Sequence, residues 1–403
     1  MSLLHEVLTR SRRRARYSQD DVGAALGVSR AMVSYWETGT RVPNDRQLSA
    51  LARLYGTEPV DLLEGRDVEP ATDGLVGMLL RADEAVDPVA VLGVGEFVQF
   101  LDRFAELAGI LNVPIRSLTQ SPFVQRQKYT QKDDIRRKSA EVRAHLGLGS
   151  APILDLDPIC GSLGIAIYRA PLGADLRRAP SGAFLKHPEM GSGILVNLDM
   201  TPGRQRFAIA HELAHALFHS DETNLVLCHG AGPRESFADG FAGEFLMPSA
   251  GVRRFVEELG LPPRIVDPVD IIHIQRYFKV SWPTALVRLR QMNAITHDTY
   301  AELRNSVRPR SLAQSLGYEI DRGDVQGVEP SGIERFPRSF LRMLRQAVVT
   351  EVMSPPTAAA FAGLALPEIV QILGQPLGDV EQESPRLAME FDEFEVTGVV
   401  SGH

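Results

Sequence analysis

Apolar positions recur at helical spacing through Val22, Ala25, Leu26, Val33, Leu48, Leu51 and Leu54, which predicts a compact helical domain over residues 1–65. Asp73–Leu80 and Glu96–Ile110 also read as helical. In the second, Phe97, Phe100, Leu101, Phe104 and Leu107 form an apolar stripe. A basic, Gln-rich stretch follows from Gln125 to Arg143, and residues 66–150 together read as a solvated helical connector. Beyond residue 151 the period shortens. Leu163–Arg169, Gly182–Lys186 and Ile194–Leu198 are short β-like runs, and His187–Gly193 is a turn-rich connection suited to a hairpin. A long helix should then start at Thr201-Pro202, an N-cap followed by proline at the first helical position. Residues 151–308 therefore read as one mixed domain. Residues 309–403 hold two helical runs, Phe340–Glu351 and Pro367–Leu373, ahead of an acidic tail expected to be disordered. No solenoid-type repeat interrupts this pattern. The expected class is α+β, mostly helical.

Composition narrows the choice. A chain of 403 residues predicts two to four domains. With 44 % hydrophobic and 23 % charged residues, it is not collagen-like, wholly disordered or disulfide-stapled. Two cysteines, Cys160 and Cys228, cannot build a thiolate zinc site, and a reducing cytoplasm is the expected compartment. No apolar run reaches membrane-spanning length, and Met1–Glu6 lacks the features of a signal peptide, so no membrane partner is expected. A net charge of -8 and a pI near 5.8 argue against non-specific coating of nucleic acid. The charge is unevenly spread, however. Residues 1–41 hold seven arginines against four acids, whereas 379–395 hold seven acids against one arginine.

Within the basic segment, Ser18-Gln19 can cap and open a helix, Gly27 can take the positive φ of a tight turn, and Ser29 can cap a second helix over Arg30–Glu37. Met32, Val33 and Trp36 would face inward. Two short helices joined by such a turn place the second in the DNA major groove. Arg30, Ala31 and Ser34 could then reach base edges, beside the capping Ser29. Gln19, Arg41 and Asn44 are better placed to hold phosphates. A bundle used only for protein contacts is the plainer alternative, but the exposed positions of the second helix are small or basic. The run from Tyr17-Ser18-Gln19 through Leu26-Gly27-Val28-Ser29 and Val33–Gly39 to Pro43 resembles the Cro/C1 (XRE) family. The resemblance covers about 60 residues and implies DNA contact through Arg30–Glu37, with a homodimer reading paired half-sites of a double-stranded operator.

The expected long helix contains His211-Glu212-Leu213-Ala214-His215. Histidines four residues apart share a helix face and can bind one zinc, and Glu212 between them can act as general base on water. A third ligand is needed. Phe218 and Asp221 stand where a third-histidine motif would need glycine and histidine. His219 lies a turn further along, which suits packing behind the site better than ligation. Glu235 is the better candidate, because Phe237, Phe241, Phe245 and Leu246 surround it with core-like residues, a poor setting for an unemployed carboxylate. Asp239, one turn on, can accept the far N–H of a ligand imidazole. Cys228 and His229 are alternative ligands. Arg234, His229 and Tyr168 are open candidates for oxyanion stabilisation, and Ile194–Leu198 is a candidate edge strand for substrate.

The two linked blocks, Arg204–His219 and Glu235 through Ala238-Asp239, Phe241-Ala242 and Phe245–Pro248, resemble the ImmA/IrrE family of metallopeptidases over about 150–310. The family pattern has Asn where this chain has Asp239, which would serve equally as an imidazole acceptor. The resemblance implies a small β-sheet packed on the active-site helix in a zincin-like fold of gluzincin type. It also implies a cytoplasmic, zinc-dependent endopeptidase that cleaves a regulatory protein such as a repressor or toxin. The competing expectation is a regulator whose zinc domain is a catalytically silent sensor or interaction platform.

Overall fold

The computed structural model describes residues 4–65, 87–115, 123, 132–175, 179–187, 190–219, 225–227, 232–262, 264–319 and 332–374. The expected helix Asp73–Leu80 and the acidic tail lie outside these residues. Among the described residues, no single helix is long and apolar enough to cross a membrane.

The N-terminal unit comprises α1 (Leu4–Arg14), α2 (Gln19–Leu26), α3 (Arg30–Glu37), α4 (Asp45–Tyr55) and α5 (Pro59–Leu63). Local chemistry sets its boundaries. Ser18 and Asp21 form a reciprocal capping box at the start of α2, Gly27 closes it at φ 65°, and the Ser29 hydroxyl caps α3. Val22, Val33, Trp36, Leu51 and Leu54 fill the core. Arg12, from the basic segment, is not a free cation. Its guanidinium grips Glu37 at 2.6 Å and donates to the Tyr17 carbonyl at 2.7 Å, tying α1 to α3. The Glu37 hydrogen bond raises its pKa despite the opposing effect of burial.

The helix expected from Glu96 begins earlier, as α6 (Pro88–Ile110), because Asp87 caps it and Pro88 occupies its first turn. It is not a solvated connector. Its early residue Val91 completes the N-terminal core, while Phe97, Phe100, Leu101, Phe104 and Leu107 are buried in a second cluster. One continuous helix thus belongs to two cores. The helices α7 (Lys132–His145) and α8 (Asp157–Ser162) follow. Arg143, within the stretch read as solvated, is buried and donates to the carbonyls of Phe245 and Gly149 at 2.5 and 2.7 Å. Burial lowers its pKa to about 10.

Strands β1 (Ile165–Ala170), β2 (Gly182–His187), β3 (Gly191–Asn197) and β4 (Leu225–Leu227) form one sheet in the order β1-β3-β2-β4. The hairpin β2–β3 is antiparallel, as expected, and β1 runs parallel to β3. The proposed edge strand Ile194–Leu198 corresponds mainly to β3, which is interior. Its hydrogen-bonding groups are spent on β1 and β2, so β4 and β1 are the edges.

Alternation along the strands divides the domain into layers. Ile165, Ile167, Phe184, Ile194 and Val196 face a core shared with α9 (Pro202–Phe218) and α10 (Pro233–Leu246). Ala166, Tyr168, Leu185 and Leu195 face α6. The chain continues through α11 (Ser249–Glu258), α12 (Pro268–Phe278), α13 (Trp282–Gln291), α14 (His297–Ser306) and α15 (Pro309–Ser315). The last described helices are α16 (Arg338–Val349), α17 (Pro355–Ala362) and α18 (Leu366–Gly374). Phe340, Leu344 and Ile369 of this group complete the α6 side of the sheet. The C-terminal helices are thus part of the sheet domain's own core.

Candidate metal centre

Helix α9 starts where expected, with Pro202 in its first turn, although the Thr201 hydroxyl makes no cap bond. It runs buried beneath the sheet and carries His211, Glu212 and His215. Helix α10 packs alongside it through Phe218, Phe237 and Phe241, with ring centroids 5.2 and 5.4 Å from Phe218. That packing brings Glu235 and Asp239 to the histidines. His211 Nε2 lies 3.2 Å from His215 Nε2 and 3.1 Å from Glu235 Oε2, and His215 Nε2 lies 3.4 Å from Glu235 Oε1. One donor atom from each of His211, His215 and Glu235 falls within 4.8 Å of the others.

The rings are oriented from behind. Asp239 Oδ1 sits 2.9 Å from His211 Nδ1. His219 Nδ1 sits 3.0 Å from His215 Nδ1. Burial, with the neighbouring His215 charge, pushes the His219 pKa down to about 4, so its ring is neutral and can accept the Nδ1 proton of His215. With Nδ1 of both rings engaged from behind, Nε2 of His211 and Nε2 of His215 both point toward Glu235. Burial disfavours charge on His211, but the hydrogen bonds its ring donates to Asp239 and Glu235, helped by Glu212, outweigh it and raise its pKa to about 10. Glu235 behaves as the complement. Burial works against its charge, yet hydrogen bonds to His211 and His215 hold its pKa down to about 2. The pocket favours positive charge where these donors meet. Two imidazoles and a carboxylate suit zinc, with a fourth position left for water or substrate.

Glu212 is fully buried, at 0 % exposure, on the side of α9 that meets the sheet. Space for it comes from Gly182 on β2. A Cβ there would lie 2.8 Å from the Leu195 carbonyl oxygen and 3.1 Å from a Glu212 carboxylate oxygen. This glycine was not singled out from sequence, since nothing local distinguishes it from an ordinary strand glycine. His219, by contrast, was already placed on the ligand face by its spacing.

Other candidates are dispersed. Tyr168 stacks on Phe100 at 4.7 Å, on the sheet face away from α9, which removes it as an oxyanion donor. Cys228 and His229 lie outside the described residues. Arg234 is exposed in the first turn of α10.

At the N-terminal unit, Arg30 and Ala31 are exposed at the start of α3, and Ser34 is half-buried one turn on. Arg30 Nε lies 3.8 Å from Asp20, both exposed, an arrangement that surface solvation leaves weak. Arg41 is exposed over the Tyr35 ring at 5.6 Å. Three of the expected DNA contacts have local duties. Ser29 Oγ accepts from the Met32 amide at 3.3 Å, Asn44 caps α4 at 2.9 Å, and the Gln19 amide donates to Glu37 at 2.9 Å.

Residues 160–290 match the model of the Peptidase M78 family, described as IrrE N-terminal-like domain, and residues 4–64 match that of a helix-turn-helix domain. The chain carries a helix-turn-helix domain and an IrrE N-terminal-like domain. No curated protein matches it. The IrrE-like segment includes the whole constellation from His211 to Asp239. Its mostly helical architecture with a small sheet is the one expected from sequence.

The His219 contact makes a testable demand. His219→Ala frees the His215 ring to rotate or change tautomer, and should weaken zinc binding about 10–100-fold while leaving secondary structure intact. Competition with a zinc chelator, followed with circular dichroism as the control, reads both. Unchanged affinity would make His219 a packing residue only.

Proposed function

We propose that this protein is a DNA-bound transcriptional regulator whose IrrE-like domain is a zinc-dependent endopeptidase acting on a regulatory protein such as a repressor or toxin. The observation that carries the reading is the convergence of His211, His215 and Glu235 beside a buried Glu212 that is not part of the ligand set. A bound zinc ion would supply Lewis acidity toward a peptide carbonyl and toward a water molecule. His211, His215 and Glu235 would hold it, with Asp239 and His219 fixing the two rings. Glu212 would take a proton from water and pass it to the leaving amine. An extended substrate backbone would add to the sheet at its β4 edge, which borders the Gly182 strand, rather than at the interior β3. A sensor or interaction platform with no catalysis would have no use for a base in that position.

For the other half, α3 would enter the major groove as a homodimer on a double-stranded operator, in the cytoplasm. Arg30, Ala31 and Ser34 would approach base edges, with Arg41 on phosphate. Gln19, Ser29 and Asn44 would contribute through the caps and ties that hold α3 and α4 in place, and through any donor capacity they retain. Replacing Arg30 and Ser34 by Ala should weaken operator binding about tenfold or more in a mobility-shift assay, since each specific contact contributes roughly 1–3 kcal/mol. Unchanged binding would remove α3 from the interface.

The peptidase half is tested in cells by comparing the new protein N-termini produced by wild type and by Glu212→Gln. Termini that appear only with wild type identify the substrate and support the reading. Identical profiles would leave the silent-platform alternative in its place.

A further inference from the structure

A second concave site lies at the other end of α9, away from the histidines. It is a cleft of about 900 Å³ bounded by the first turn of α9, the α12–α13 junction and the segment leading into α15. That volume is in the range of small-molecule sites. Its walls are strongly one-signed. Arg204, Arg206, Arg276, Lys279, Arg308 and Arg310 line it, against a single carboxylate, Asp199. Two of the six cations are held in place: Arg206 donates to the Ile153 and Leu154 carbonyls at 2.5 and 3.1 Å, and Arg276 lies over the Tyr318 ring at 5.6 Å. Arg204, Lys279, Arg308 and Arg310 are exposed, and none forms an ion pair among the described residues.

The helix geometry adds a further observation. The positive end of α9 opens here too, with Pro202 and Gly203 in the wall and no side chain capping its first amides.

We propose that this cleft binds a small molecule bearing several phosphate groups, of the nucleoside di- or triphosphate class. Four open cations and a helix N-terminus match clustered phosphate charge. The concave shape favours a small molecule over the convex backbone of duplex DNA.

The test is calorimetric titration of the full-length protein, in buffer free of divalent cations, with ATP, inorganic triphosphate and a non-operator DNA duplex. One ATP or triphosphate should bind per chain. Arg308→Glu/Arg310→Glu should weaken that binding at least tenfold, as should Lys279→Glu, without altering the melting temperature of the free protein. These residues are exposed, so loss of folding does not confuse the readout. Absence of binding by wild type, equal affinity in the variants, or binding of the duplex alone would overturn the proposal.

Discussion

Glu212→Gln is expected to lower peptide-bond cleavage by the purified protein about 10²–10⁴-fold while leaving its zinc content unchanged. The substitution is nearly isosteric, so the space made by Gly182 still fits it. It removes the base without touching His211, His215 or Glu235, whose donor atoms converge independently of it. The separation of zinc content from activity is what the geometry demands. A variant that lost zinc along with activity would show that Glu212 acts by supporting the site. A variant with full activity would place the base elsewhere.

The largest structural effect is expected at Glu244. This residue of α10 is buried and accepts from the Ser249 amide and hydroxyl at 2.8 and 3.0 Å, while pairing with Arg288 of α13. Arg288 is buried as well, and its Nε donates to the Met247 carbonyl at 3.0 Å. Burial lowers the Arg288 pKa, and the charge of Glu244 opposes that effect. Glu244→Ala would strand a buried cation and should cost roughly 3–5 kcal/mol, measurable by urea denaturation. The double variant Glu244→Leu/Arg288→Met should cost clearly less than Glu244→Ala alone, because no charge is left uncompensated. Equal losses in the two proteins would mean that packing, not charge, holds α10 to α13.

Features written in local chemistry were legible without the structure. Ser18, Gly27 and Ser29 determine their own turn, and the four-residue spacing of His211 and His215 places both on one helix face wherever that helix packs. Glu235 was legible for a different reason, its phenylalanine-rich surroundings. Features that depend on distant partners were not. Whether Phe97 and Phe100 cover a connector or a core depends on β1 and α16, far away in the chain. The interior position of β3 follows from its parallel pairing with β1, a crossover that strand propensity does not encode. Tyr168, one of three open oxyanion candidates, lies on the α6 face because strand parity puts it there, a choice the sequence does not make. Among the DNA candidates, the cap and tie duties of Ser29, Asn44 and Gln19 arise from the same short polar side chains that would suit phosphate.

A metal held by His211, His215 and Glu235 is the central requirement, and metal analysis of the purified full-length protein after exhaustive dialysis tests it most directly. The predicted result is about one zinc per chain in wild type and near zero in His211→Ala, with both proteins folded, in keeping with a structure that supplies three protein ligands. Wild type without zinc, or a variant that keeps it, would contradict the account.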